Sequence, residues 1–165
     1  MARILGVDHI AVAVRDVDAS LRNYVDVLGG EVVARGGGTM AGTRTDAAYV
    51  MLGDSMVVLD GAVDPQGFLS KFIDRRGEGL HHLGVLVDDL DAFVAELEAK
   101  GVRIPHRESF GDQRREVLLS PRDFGGVVLQ VMEWSDKDCP DVASRVERVR
   151  RFVRRERGDE RGDER

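Results

Sequence analysis

The chain has 165 residues, 42% of them hydrophobic, which suffices for one compact body or two small halves with a true core. Its formal charge is −6, and residues 141–165 hold nine arginines against seven acids, so residues 1–140 carry −8 and argue against a nucleic-acid partner. The single cysteine, Cys139, excludes an internal disulfide framework, and the N-terminal apolar run, broken by Asp8 and His9, has no signal-like flanks or membrane-length span, so the chain reads as cytoplasmic with no membrane partner.

Taken in order, residues 7–14 alternate as a strand, and Asp16 or Asp18 can cap a helix in which Leu21, Tyr24, Val25 and Leu28 fall on one face. Gly29-Gly30 stops it, residues 31–35 read as a short strand, and residues 36–46 read as a polar, glycine-rich loop. Residues 47–52 and 56–60 flank Gly53-Asp54-Ser55 as a hairpin, which completes a βαβββ unit over residues 5–60. Residues 61–79 form a connector in which Pro65 starts a short helix presenting Phe68, Leu69, Phe72 and Ile73. A second unit occupies residues 80–135: a strand over 82–87, a helix over 89–100 with Leu90, Phe93, Val94 and Leu97 in register, a short strand at 102–104, and closing strands at 115–120 and 127–133. Within residues 136–165, Val142, Val146, Val149 and Val153 stripe a helix to about residue 155, docked on the body or on a second subunit, and a low-complexity, charged, disordered tail follows.

The two units share more than their order. Asp8-His9-Ile10-Ala11-Val12-Ala13-Val14 and His81-His82-Leu83-Gly84-Val85-Leu86-Val87 each set a histidine at the head of an alternating strand, with an acidic turn and an amphipathic helix next. Alternate side chains of a strand share a face. His9, Ala11 and Ala13 therefore oppose Ile10, Val12 and Val14, while His82, Gly84 and Leu86 oppose Leu83, Val85 and Val87. The branched face packs on the following helix and the histidine face looks into a shared concavity. His81, one step out of phase, faces away and is mainly structural.

These features resemble the vicinal oxygen chelate superfamily, which includes glyoxalase I, extradiol dioxygenases, bleomycin-resistance-type binding proteins and methylmalonyl-CoA epimerases. The epimerase likeness rests on Phe68-Leu69-Ser70-Lys71-Phe72-Ile73, Gly77-Glu78-Gly79-Leu80-His81-His82, Val87-Asp88-Asp89-Leu90-Asp91 and Lys100-Gly101-Val102-Arg103-Ile104. The resemblance covers about residues 5–134 and implies an α+β fold, two tandem βαβββ units forming an eight-stranded open barrel around a divalent metal ion (Co, Mn, Zn, Ni or Fe). Its ligand pattern is His, Gln, His and Glu. His9 and His82 match the histidines, whereas Val58 stands at the second position and Gln130 at the fourth, which leaves His9, His82 and Gln130 as the implied ligands. The epimerases' catalytic glutamate also has no match, since only Asp46 lies at the edge of the corresponding strand.

The histidines are kept and the acids are lost, so the site lacks the anionic donor of a two-histidine, one-carboxylate triad. Epimerisation needs a base on each face of the reacting carbon; Gln130 holds one acid–base position without being able to take a proton, and Asp46 and Asp60 are the remaining candidates, Asp60 also as a substitute ligand. Strand parity gives an apolar, substrate-binding lining of Ala11, Ala13, Met56, Val58, Gly84, Val128 and Met132. The first reading is a metal-dependent epimerase- or isomerase-like enzyme that enolises a small acyl thioester or ketone; a glyoxalase-type lyase is the other enzyme class in view. The second is a metal-free, antibiotic-type binding protein, and the third an Fe(II) dioxygenase-like enzyme. Edge strands and the valine stripe suggest a homodimer.

Overall fold

The computed structural model describes residues 2–137, 139 and 141–158. β1 (Ile4–Val14) begins a few residues before the predicted strand. Asp16 caps α1 (Val17–Arg22) by accepting the Ala19 N–H at 2.8 Å, and the helix widens into a π-helical turn over Asn23–Val27. Gly29, at φ 72°, turns the chain out of it. β2 (Glu31–Arg35) follows as predicted. The glycine-rich stretch is not wholly loop: β3 (Thr39–Met40) and β4 (Thr43–Arg44) pair across Ala41 and Gly42, whose φ of 48° and 72° match a tight type I′ reversal.

β5 (Asp46–Leu52) and β6 (Ser55–Gly61) form the expected hairpin. α2 (Phe68–Arg76) starts after Gly67, not at Pro65. β7 (Gly79–Val87) and α3 (Leu90–Ala99) repeat the opening pattern, with Asp89 accepting the Ala92 N–H at 2.9 Å as Asp16 does for Ala19. No strand forms at 102–104. There Val102 and Ile104 pack as half-buried plugs against the core, and the strand comes later as β8 (His106–Phe110). β9 (Arg114–Leu119) and β10 (Val128–Trp134) close the repeat, and α4 (Val142–Glu156) extends to the predicted end. Of the charged repeat over 157–165, expected to be disordered, residues 159–165 fall outside the described residues, while Arg157 and Gly158 continue from the helix end. Among the described residues no helix is long and apolar enough to cross a membrane.

By its contacts the chain divides into two compact units, Ala11–Gly79 with Asp138–Arg165, and Met1–Ile10 with Leu80–Lys137. The sequence halves 5–60 and 80–135 are thereby redistributed. The start of β1 groups with β7, as the Asp88 N–H to Arg3 carbonyl bond at 3.2 Å illustrates, and the connector and α4 group with residues 11–60. Strand order is β2-β5-β6-β1 in one copy of the repeat and β8-β9-β10-β7 in the other, the same connectivity twice. In each copy the branched face meets the helix. Val14, Val17, Ala48, Val57 and Leu59 form one core, and Val85, Val87, Leu90, Val94, Val117, Leu119 and Val131 form its counterpart.

α4 belongs to the unit that holds β2 and covers its edge. It buries Val149, Phe152 and Val153, while Arg150 donates to the Val33 carbonyl at 3.1 Å and Arg157 to the Arg35 carbonyl at 2.9 Å. Main-chain acceptors that would otherwise be open to strand addition are thus occupied.

Glu133 ties three elements of the other unit together: it accepts the Leu90 N–H at the head of α3 at 2.9 Å and bonds Arg115 at 2.8 Å and Lys137 at 2.6 Å. Burial alone would raise its pKa, but the Lys137, Leu90 and Arg115 hydrogen bonds outweigh it and hold the carboxyl below its ordinary value. A depressed folded pKa stabilises above the unfolded value, near 4.3, and that contribution is lost as pH falls through the folded pKa. Glu133→Gln is expected to cost about 1–2 kcal/mol at pH 7. Thermal unfolding of both proteins between pH 7 and 3 should show the difference closing below about pH 4.

Candidate functional site

Among the described residues, seven of the nine buried polar or charged ones belong to one unit: Asp8, His9, His81, His82, Arg114, Glu116 and Gln130. Burying so many polar groups is tolerable only if they satisfy one another. Here they are linked to one another in a chain of contacts. The His9 Nε2 and His82 Nε2 atoms lie 3.1 Å apart, His9 Nδ1 lies 3.0 Å from Asp8 Oδ1, and His82 Nδ1 lies 2.9 Å from His81 Nδ1. The other Asp8 oxygen accepts the Trp134 indole N–H at 3.1 Å. Arg114 stacks over the Trp134 and Phe110 rings, its guanidinium carbon 5.1 Å and 4.4 Å from their centroids, and its Nη2 pairs with Glu116 at 2.9 Å. Glu116 accepts the Gln130 amide N–H at 2.7 Å, and Gln130 lies close enough to His82 to influence its basicity.

Strand register explains the assembly. β10 runs parallel to β7 with Val128 opposite His82 and Gln130 opposite Gly84. β9 runs antiparallel on the other side of β10 with Glu116 opposite Met132, one pleat from Gln130 on the same face. Gly84 makes room for His9: a Cβ built there would lie 2.6 Å from both Cε1 and Nδ1 of the His9 ring.

A carboxylate only accepts, so His9 Nδ1 donates to Asp8. One proton lies between the two facing Nε2 atoms and one between the Nδ1 atoms of His82 and His81. Burial, followed by His9, His81 and Arg114 nearby, holds the pKa of His82 well below the usual value; burial pushes His81 down to about 4. Both imidazoles are therefore neutral at pH 7, the form that binds metals.

His9, His82 and Gln130, expected as ligands, are brought together. The 3.1 Å between the two Nε2 atoms can be spanned by adjacent ligands at bond lengths of about 2.0–2.1 Å, and Asp8 behind His9 is the kind of orienting carboxylate that stands behind ligating histidines. Among the described residues no group of three or more His, Cys, Asp or Glu side chains is placed to hold an ion, so an ion here would be held by the two imidazoles and completed by the Gln130 amide.

The remaining expected residues are distributed differently. Met132 is fully buried on the Gln130 face of β10, Val128 is half-buried beside His82, and Gly84 lies under the His9 ring rather than open to a ligand. In the other unit Ala11 and Val58 pack with Ala47 and Tyr49, Met56 is buried, and Ala13 lies against Leu69 and Ile73 of α2 instead of lining a cavity. Asp46 is ion-paired with Arg35, which also binds Asp18 at 2.8 Å; Asp60, opposite Ala47, is buried at 4% exposure. His81, expected to face away, bonds His82, because alternation fixes where Cβ points and not where the ring can swing. Asp8, Trp134, Arg114 and Glu116 were not singled out by the sequence; the acid directly preceding His9 was the one available signal.

The model of the Glyoxalase/Bleomycin resistance protein/Dioxygenase superfamily matches residues 8–117. Mitochondrial methylmalonyl-CoA epimerase of Bos taurus is 32% identical over 130 residues, spanning 75% of this chain and 71% of that protein. Among solved structures, methylmalonyl-CoA epimerase from Mycobacterium tuberculosis superposes with a TM-score of 0.72 at 28% identity, covering 81% of this chain and 91% of the other. A variant of the Streptomyces coelicolor methylmalonyl-CoA epimerase in complex with 2-nitronate-propionyl-CoA gives 0.74 at 25% identity, covering 84% and 100%.

Gly84→Ala is expected to push the His9 ring off His82. The cost should be about 1–3 kcal/mol of stability, and long-range proton–nitrogen NMR should show the two imidazole spin systems altered while the amide spectrum of residues 11–79 is retained.

Proposed function

Since the chain belongs to the Glyoxalase/Bleomycin resistance protein/Dioxygenase superfamily, we propose that it is an isomerase-type enzyme of that family that moves the α-proton of an acyl-CoA thioester. The observation that carries this reading is the facing pair of imidazoles, His9 and His82, 3.1 Å apart at Nε2, in a chain whose relatives include methylmalonyl-CoA epimerases. His9, His82 and Gln130 would hold a divalent ion. Such an ion, when bound, supplies a Lewis acid for the thioester carbonyl.

The chain's own residues set the conditions for the reaction. Asp8 fixes a proton at His9 Nδ1, and His81 holds the His82 ring from its far side, Nδ1 to Nδ1 at 2.9 Å. Depressed basicity keeps His81 and His82 uncharged. Val128 and Met132 share the Gln130 face of β10 and give the site an apolar margin suited to a short acyl chain. The proton acceptor differs from the epimerase pattern, because Asp46 is engaged by Arg35.

That same engagement favours one competing reading, a binding protein that holds an acyl or aromatic ligand without turning it over. Incubation with methylmalonyl-CoA and ethylmalonyl-CoA in heavy water separates the two. Deuterium should enter the α-carbon with the native protein, disappear after chelation, return with Co2+, and be absent in a His9→Ala/His82→Ala double variant, whose metal content after reloading should be at least tenfold lower. No label with any metal, or equal metal in both proteins, would sink the enzyme reading; ligand retention untouched by chelator would favour the binder.

A further inference from the structure

We propose that Glu116 is the positioning residue of this site, acting on it through Gln130. It fixes which end of the Gln130 carboxamide the histidines meet. The inference rests on the proposed metal-dependent reading.

A carboxamide has two faces of opposite chemistry, a donating NH2 and an accepting oxygen, and without a partner it can present either. At Gln130 the choice is made. The Glu116 carboxylate can only accept, and it lies 2.7 Å from Gln130 Nε2, so the nitrogen is turned towards β9 and the oxygen is the end left to the site. Glu116 is in turn pinned: it is 1% exposed, and its second oxygen bonds Arg114 at 2.9 Å, whose guanidinium is clamped over Phe110 and Trp134. Because Trp134 also donates to the carboxylate behind His9, the two donors are oriented by one continuous frame.

This arrangement also reads as an exchange. The family pattern has a carboxylate where Gln130 stands, and here the carboxylate sits on the adjacent strand with the amide facing the histidines. One buried negative charge, balanced by Arg114, is retained but moved out of the ligand position. Residues 116 and 130 then form a matched acid–amide pair, and either may change identity only with the other. Inverting the pair preserves every bond: a glutamine at 116 accepts from Arg114 through its oxygen and donates to a glutamate at 130 through its nitrogen.

A double-mutant cycle tests this. Glu116→Gln, Gln130→Glu and the combined variant are compared by thermal unfolding in metal-free buffer and by calorimetric titration with CoCl2. Gln130→Glu places two carboxylates in contact and should lower Tm sharply, whereas the combined variant should recover most of the loss. Glu116→Gln releases the amide and should weaken Co2+ binding about tenfold or more, while the combined variant should bind Co2+ at least tenfold more tightly than the native protein and shift the visible spectrum of the ion. Additive Tm losses without recovery, or native Co2+ affinity in Glu116→Gln, would overturn the proposal. The Tm cycle involves neither metal nor substrate, so the pairing can fail while α-proton exchange survives, and the reverse.

Discussion

The contact on which the molecule's chemistry depends is the approach of two imidazoles from strands 73 residues apart, nitrogen to nitrogen. Nothing in a strand ladder requires it. Each ring has one edge occupied from behind, by Asp8 for His9 and by His81 for His82, so the edges that meet are the ones left to the site. Gly84 is the steric condition for the approach, since any side chain there would take the space of the His9 ring. Duplication supplies the two histidines, and a glycine in only one copy lets them touch.

Burial gives this contact its weight. A polar circuit inside a folded unit costs more than an apolar filling unless every member is satisfied, and a satisfied one specifies a single arrangement. Here the specification runs through two carboxylates, Asp8 and Glu116, and one cation, Arg114. These charged groups sit behind the imidazoles and the amide, not between them. Such a site would grip an ion less firmly than one with an oxyanion ligand and leaves acid–base work to groups of low basicity.

Much of this was legible in the sequence. The tandem repeat, a cap at Asp16, the position of α4 and the approach of His9 to His82 follow from periodicity, capping chemistry and strand parity. What escaped did so for physical reasons. β8 reads His-Arg-Glu-Ser-Phe, which has no apolar alternation because its pairing with β9 rather than a core face defines it. Arg114 and Glu116 belong to a charged run that looks like solvated surface, and only the cross-strand register against β10 reveals them as interior. Ala13 was assigned to a lining by parity, but parity cannot foresee that α2 folds down upon it.

The covering of β2 by α4 has a consequence for how the chain comes into being. Val33 offers its carbonyl to Arg150, a residue 117 positions further along. During synthesis the strand therefore emerges long before its cover, and for that interval it is an open invitation to any extended neighbour. The helix acts as a late latch, so a product interrupted before it would carry an intact repeat and a sticky flank.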